Sequence, residues 1–206
     1  MRSLLALVLA TSAIFSLSTT VAAAQDEAPQ AVTCSGPFAK DSSRAKLVAA
    51  FGAANVTDQQ IDGAEGSSEP ATVVFAKDRA RRIEVTWSDD KAKARPAGVT
   101  IRSPSNWTGP EGIRAGMALP DVANRNGQPL KVNGFEWDYG GYAVNLKGKL
   151  ASLPGGCGVM LRFSPGVDIS GKRFRPIVGE KQIRSDNAVL LSAKPVLAEW
   201  RLVYDE

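Results

Sequence analysis

No histidine occurs anywhere in the 206 residues. Ser-His-Asp and Cys-His catalytic arrangements, His-containing metal sites and an imidazole general base are therefore excluded. Cysteine is scarce as well, with only Cys34 and Cys157 and no CxxC spacing, which removes a dithiol of the thioredoxin type and an all-Cys zinc site. Neither a GxSxG nucleophile elbow nor a complete GxxxxGK[ST] phosphate loop is present. Charge of one sign is also missing: 25 basic residues against 21 acidic leave a net charge of +4. Short basic clusters at 77–82, 91–95 and 172–175 are interspersed with Asp and Glu and carry no interleaved aromatics, so they read as solvated turns and not as a nucleic-acid stripe.

Long hydrophobic runs are confined to the N-terminus. Met1-Arg2 precedes an uncharged stretch over 3–21, Ala22-Ala23-Ala24 supplies small residues, and the chain then turns polar at Gln25. That order is a charged region, an apolar region and a cleavage site, so residues 1–24 are predicted to be a signal peptide cut before Gln25. Thr11, Ser12, Ser16, Ser18, Thr19 and Thr20 dilute the run below what a spanning helix needs. The protein is therefore expected in the periplasm or outside the cell of a bacterial-type envelope, with no integral membrane segment after cleavage. In that oxidising setting Cys34 and Cys157 are expected to form a disulfide.

The remaining residues, about 180, are enough for one sizeable domain or two small ones. A polar leader is expected over 25–33. Asp41-Ser42-Ser43 offers N-cap side chains ahead of Ala45, Leu47, Val48 and Phe51 at helical spacing, and Gly52 closes that helix. Residues 71–76 and 83–87 read as a β-hairpin around the charged turn at 77–81, and 98–102 as a third strand. A linker rich in Pro, Ser and Gly is expected over 104–112. Beyond it, Pro120 and Asp121 suit a first helical turn and Gly127 its stop. Strands are predicted over 131–138, 142–147, 158–163, 177–183, 188–192 and 198–204, with Trp200, Leu202 and Tyr204 sharing one face. The fold class is α+β, short helices packed on an antiparallel sheet. Two units, 34–103 and 113–206, share the order of helix, Gly stop and strands, and so suggest a tandem repeat.

The stretch from Gly112 through Gly116-Met117, Val122 and Asn126-Gly127 to Pro129 resembles the opening of a helix-plus-sheet repeat. That repeat is found in the beta-lactamase inhibitory protein and in the small lipoprotein of the outer-membrane β-barrel assembly machine. Asn126 stands where a Leu is usual. The resemblance implies short helices on an antiparallel sheet in proteins that bind other proteins, and it implies no catalytic activity.

The most distinctive segment is Gly134-Phe135-Glu136-Trp137-Asp138-Tyr139-Gly140-Gly141-Tyr142. Read as a strand, it puts Glu136 and Asp138 on one face and Phe135, Trp137 and Tyr139 on the other. Paired carboxylates suit glycoside hydrolysis, but adjacent i, i+2 side chains seldom flank a bond from opposite sides. Trp137, Tyr139 and Tyr142 suit an interaction loop, since rigid aromatics dominate binding hot spots. The expectation is a non-enzymatic exported protein that binds an envelope protein or secreted enzyme through Trp137, Tyr139, Tyr142, Glu136 and Asp138. It needs no cofactor, metal or nucleic acid. The alternatives are a cell-wall glycan hydrolase using Glu136 and Asp138, and a structural envelope protein without a discrete site.

Overall fold

The computed structural model describes residues 31–63 and 66–204. The expected signal peptide and all of the leader up to residue 30 lie outside the described residues. Nine strands and three α-helices follow in the order α1 (Arg44–Phe51), β1 (Val56–Asp62), β2 (Ser68–Val74), β3 (Ile83–Asp89), β4 (Ala94–Arg102), α2 (Leu119–Asn126), β5 (Lys131–Asn133), β6 (Ala143–Val144), β7 (Cys157–Ser164), β8 (Gln182–Arg184), α3 (Ala188–Ser192) and β9 (Val196–Tyr204). The larger sheet has the order β1-β2-β3-β4-β9-β7 and the smaller β6-β5-β8. Every pairing within them is antiparallel. The fold is α+β. No helix among the described residues is long and apolar enough to cross a membrane.

Local sequence explains most elements. Ser43 caps α1 by accepting from the Lys46 amide, and Gly52 ends it at φ 84°. Pro120 lies in the first turn of α2, Asp121 and Arg125 suit the helix dipole at opposite ends, and Gly127 closes the helix in the left-handed region. Ile83-Glu84-Val85-Thr86-Trp87 alternates as a half-buried strand would, yet all five side chains are buried. Both faces of β3 are covered: Ile83, Val85 and Trp87 face the core, while Arg82 and Arg102 pair with Glu84 and Arg201 reaches Thr86 on the other side.

The core fills the first side. Val85, Val99, Ile101, Trp200, Leu202, Leu161 and Phe163 from the sheet meet Leu47, Leu119 and Val122 from α1 and α2 and Val132 from the small sheet in one continuous cluster. Trp200 and Leu202 are fully buried on that face, and Tyr204 is half-buried beside them. The Cys34–Cys157 disulfide spans a sequence separation of 123 and pins the start of the described chain to β7. Tyr204, opposite Cys157 in the β7–β9 ladder, donates its hydroxyl to the Phe38 carbonyl, so the same corner is tied twice.

Several expectations change. Residues 31–33 of the expected leader belong to the fold: the Val32 amide donates to the Thr108 carbonyl at 2.8 Å and its side chain is fully buried. The expected units 34–103 and 113–206 share a sheet, since β4 from the first pairs with β9 from the second. Within that sheet β3 lies between two strands and β7 at an edge. Residues 188–192 form α3 and not a strand, because Asn187 caps them by accepting from the Leu190 amide. Of 131–138 only Lys131–Asn133 is strand, and of 142–147 only Ala143–Val144. The expected strand over 177–183 is a 3₁₀ helix at Lys172–Ile177 followed by the short β8.

Candidate functional site

The side of the large sheet away from the core is concave. Its floor is set by cross-strand register. Met160 stands opposite Arg201, and Arg201 opposite Thr100. One step along, Arg162, Glu199 and Arg102 form a second row. These positions alternate with the core residues of β7 and β9, so they point outward together.

The floor is an ionic ladder. Arg102 donates to Glu199 at 2.8 Å and also pairs with Glu84, which in turn accepts from Arg82 at 2.9 Å. Glu84 is a buried carboxylate held by two guanidinium groups, the arrangement that makes a buried charge tolerable. Arg201 lies over β4 where Gly98 has no side chain, and reaches Thr86 at 2.8 Å; a Cβ on Gly98 would occupy the place of that guanidinium.

One wall is the loop 134–142. Phe135 anchors it in the core, with its amide donating to the Ile177 carbonyl at 2.8 Å. The Trp137 indole N–H donates back to the Gly134 carbonyl at 2.7 Å, and Asn133 holds the Tyr139 carbonyl at 3.2 Å. Gly141, at φ 78°, lets the loop backbone approach β7 closely enough for its carbonyl to accept from the Phe163 amide at 2.8 Å. The rings of Trp137 and Tyr139 meet edge to face at 5.4 Å, and Arg162 lies 5.3 Å from the centre of the Tyr142 ring. The opposite wall is the end of the β1–β2 hairpin, with Asp62, Gly63 and Glu69.

Together these elements line a groove of about 600 Å³. A second hollow of about 340 Å³, which includes Arg79, Arg82 and Glu84, shares Asp62 and Arg102 with the first, so the concave face is one trough. Among the described residues the exposed large hydrophobic side chains are Tyr139 at 60% and Met160 at 44%, and both line the groove. Asp62, Glu69, Asp138 and Arg162 line it too and have no ion-pair partner among the described residues. The surface thus offers aromatic area, a thioether and unpaired charges of both signs.

The geometry corrects the strand reading of 134–139. Glu136 has φ 62°, which breaks any extended run, so Glu136 and Asp138 do not share a strand face. Trp137, Asp138, Tyr139 and Tyr142 all line the groove, whereas Glu136 is exposed and does not. The structure brings four of the five candidate side chains together. It adds Arg102, Met160, Arg162, Glu199 and Arg201, which sequence reasoning missed. Their signal was the outward half of an alternating strand, Met160 and Arg162 between Val159, Leu161 and Phe163, but which strands lie side by side was not readable from it.

Comparison with protein-family models, with curated proteins and with solved structures found no match to this chain.

Proposed function

We propose that this chain is an exported, non-enzymatic binding module that holds a polypeptide partner, an envelope protein or a secreted enzyme, in the trough on the concave face of its sheet. One observation carries the reading: the exposed large apolar side chains Tyr139 and Met160 converge on the same groove as the Trp137 and Tyr142 rings and unpaired charges of both signs. Aromatic anchors surrounded by polar groups are the composition of protein-binding hot spots. The mixture of signs suits a polypeptide, which carries both, and disfavours a polyphosphate, which Asp62, Glu69, Asp138 and Glu199 would repel. The disulfide and the N-terminal pattern support an oxidising compartment. A structural protein without a discrete site would have no use for a loop pinned by Phe135 that leaves Tyr139 exposed. The hydrolase reading gains no support, because Glu136 does not line the groove that Asp138 lines.

The test is affinity capture of the mature, oxidised protein from an envelope extract of its own host, beside the variant carrying Trp137→Ala and Tyr139→Ala. A partner retained by the parent and lost by the variant, with both folded, is the expected result. A partner held with equal affinity by both refutes the groove as its site.

A further inference from the structure

The two edges of the large sheet differ. The β7 edge is closed by the loop, through Gly141 to Phe163 and the bridge between Tyr142 and Arg162. At the β1 edge, Phe75 donates to the Asn55 carbonyl and Gly63 to the Ser67 carbonyl, each at 2.8 Å, at the two ends of the β1–β2 ladder. Antiparallel alternation then turns the amides and carbonyls of residues 57, 59 and 61 toward β2, and those of Asp58, Gln60 and Asp62 outward. Pro70, which has no amide to give, stands opposite Gln60, consistent with that parity. Asp58, Gln60 and Asp62 are exposed, and their backbone groups have no backbone partner among the described residues.

Native sheets blunt such an edge with charged side chains, Lys above all, with Pro, a bulge or a covering loop. β1 has no Lys and no Pro, and its seven pairs with β2 run without a register shift. Charge is graded along it. Arg44 and Lys93 flank Asp58 at one end, while Asp62 and Glu69 are unpaired at the other. Three open residues fall well short of the roughly 1,200 Å² that a stable dimer buries. An extended segment has no such requirement, because Asp62 belongs both to the edge and to the groove, and a chain paired with β1 continues directly onto the trough.

We infer that β1 is the docking edge for an extended segment of the partner, which adds antiparallel as a seventh strand with its basic N-terminal end over Asp62 and Glu69 and its acidic end beside Arg44 and Lys93. This rests on the concave face being a polypeptide-binding surface. The probe is a short synthetic peptide alternating Thr and Val, with Lys at its N-terminal end and Glu at its C-terminal end, and a second peptide with those charges exchanged.

Backbone amide exchange of the mature, oxidised protein is followed by NMR. In the free protein the Asp58, Gln60 and Asp62 amides should exchange as open groups, and at saturating first peptide slow by about tenfold or more. Gln60→Pro removes an outward donor without touching a β1–β2 bond and should weaken peptide binding about tenfold. If that variant misfolds, Asp62→Lys with Glu69→Lys, both at the hairpin end, should instead reverse the preference between the two peptides. Protection of the three amides in the free protein, peptide binding that protects none of them, or unchanged peptide preference after charge reversal would each overturn the edge. Partner capture that survives Gln60→Pro but not Trp137→Ala with Tyr139→Ala would overturn the edge and keep the groove. The converse would overturn the groove as the partner's site, while peptide protection of the β1 amides would still stand.

Discussion

Reducing the Cys34–Cys157 bond should lower the melting temperature sharply while leaving the native contacts in place. Both sulfurs are buried, and the Cα atoms are 5.9 Å apart, so two thiols can occupy nearly the same space as the disulfide. The effect therefore falls on the unfolded chain. With a sequence separation of 123, the loop-entropy relation gives about 5 kcal/mol at 25 °C. For a folded region of this size each kcal/mol moves the midpoint by about 2–4 °C, so a fall of roughly 10–20 °C is expected. The comparison is between oxidised protein and protein reduced under denaturing conditions and refolded with thiols kept free, each melted in a calorimeter. Cys34→Ala with Cys157→Ala serves as a second arm and adds a small cavity cost. A fall of less than about 3 °C with two thiols titrated per chain would refute the reasoning. It would mean that Val32, Phe38 and their neighbours hold this corner without the covalent link.

Four further outcomes follow from the same packing. Glu84→Ala leaves Arg82 and Arg102 without their shared carboxylate, and since both can reach water the cost should be about 2 kcal/mol in urea denaturation, below that of a fully buried pair. Burial raises the Asp58 pKa, but the hydrogen bonds from Lys93 and Thr72 and the charge of Arg44 more than offset it, so its folded value lies below the ordinary carboxylate one. Its contribution is thus present above about pH 4 and lost as pH falls through the folded value, and the melting-temperature gap between wild type and Asp58→Asn should close on acidification. Burial also holds the Tyr204 phenol well above its usual range; Tyr204→Phe removes the bond to Phe38 and should cost about 1 kcal/mol, read from urea melts. Gly98→Ala should destabilise by about 1–2 kcal/mol in urea denaturation and shift the resonances of Thr86 and of the groove floor, because its Cβ would displace the Arg201 guanidinium from its hydrogen bond to Thr86.

Elements with a local chemical signature were legible. Ser43, Gly52, Pro120 and Gly127 mark their helices directly, β2 follows from a short apolar run, and β3, β4, β7 and β9 follow from period-two apolar patterns. β1 was not legible, because an edge strand buries little and only Val56 and Ile61 are apolar in Val56–Asp62. Residues 188–192 read as a strand because four of the five are apolar; Asn187 carried the contrary signal, which outweighs apolarity when the side chain reaches the Leu190 amide. At 134–139 the alternation of aromatic and acidic residues imitated a strand, while the left-handed backbone at Glu136 is invisible in composition. The aromatic wall of the site could be found because it lies in one segment. Its floor could not, because Arg102, Met160 and Glu199 come together through strand order, which no local pattern encodes.

That strand order also has a consequence in time. β9 is the last of the described strands in chain order but lies between β4 and β7, and it supplies Trp200 and Leu202 to the core. During synthesis the preceding strands can form the β1–β4 meander, but β4 must wait with one side open and β7 has no neighbour in its sheet. The ladder between β4 and β9 joins residues about a hundred positions apart, as in Arg102 with Glu199, and such distant pairings form slowly. The central pairing of the sheet therefore cannot close until β9 is available. Any lesion that removes β9 would cut β7 away from the β1–β4 meander as well as deleting one strand.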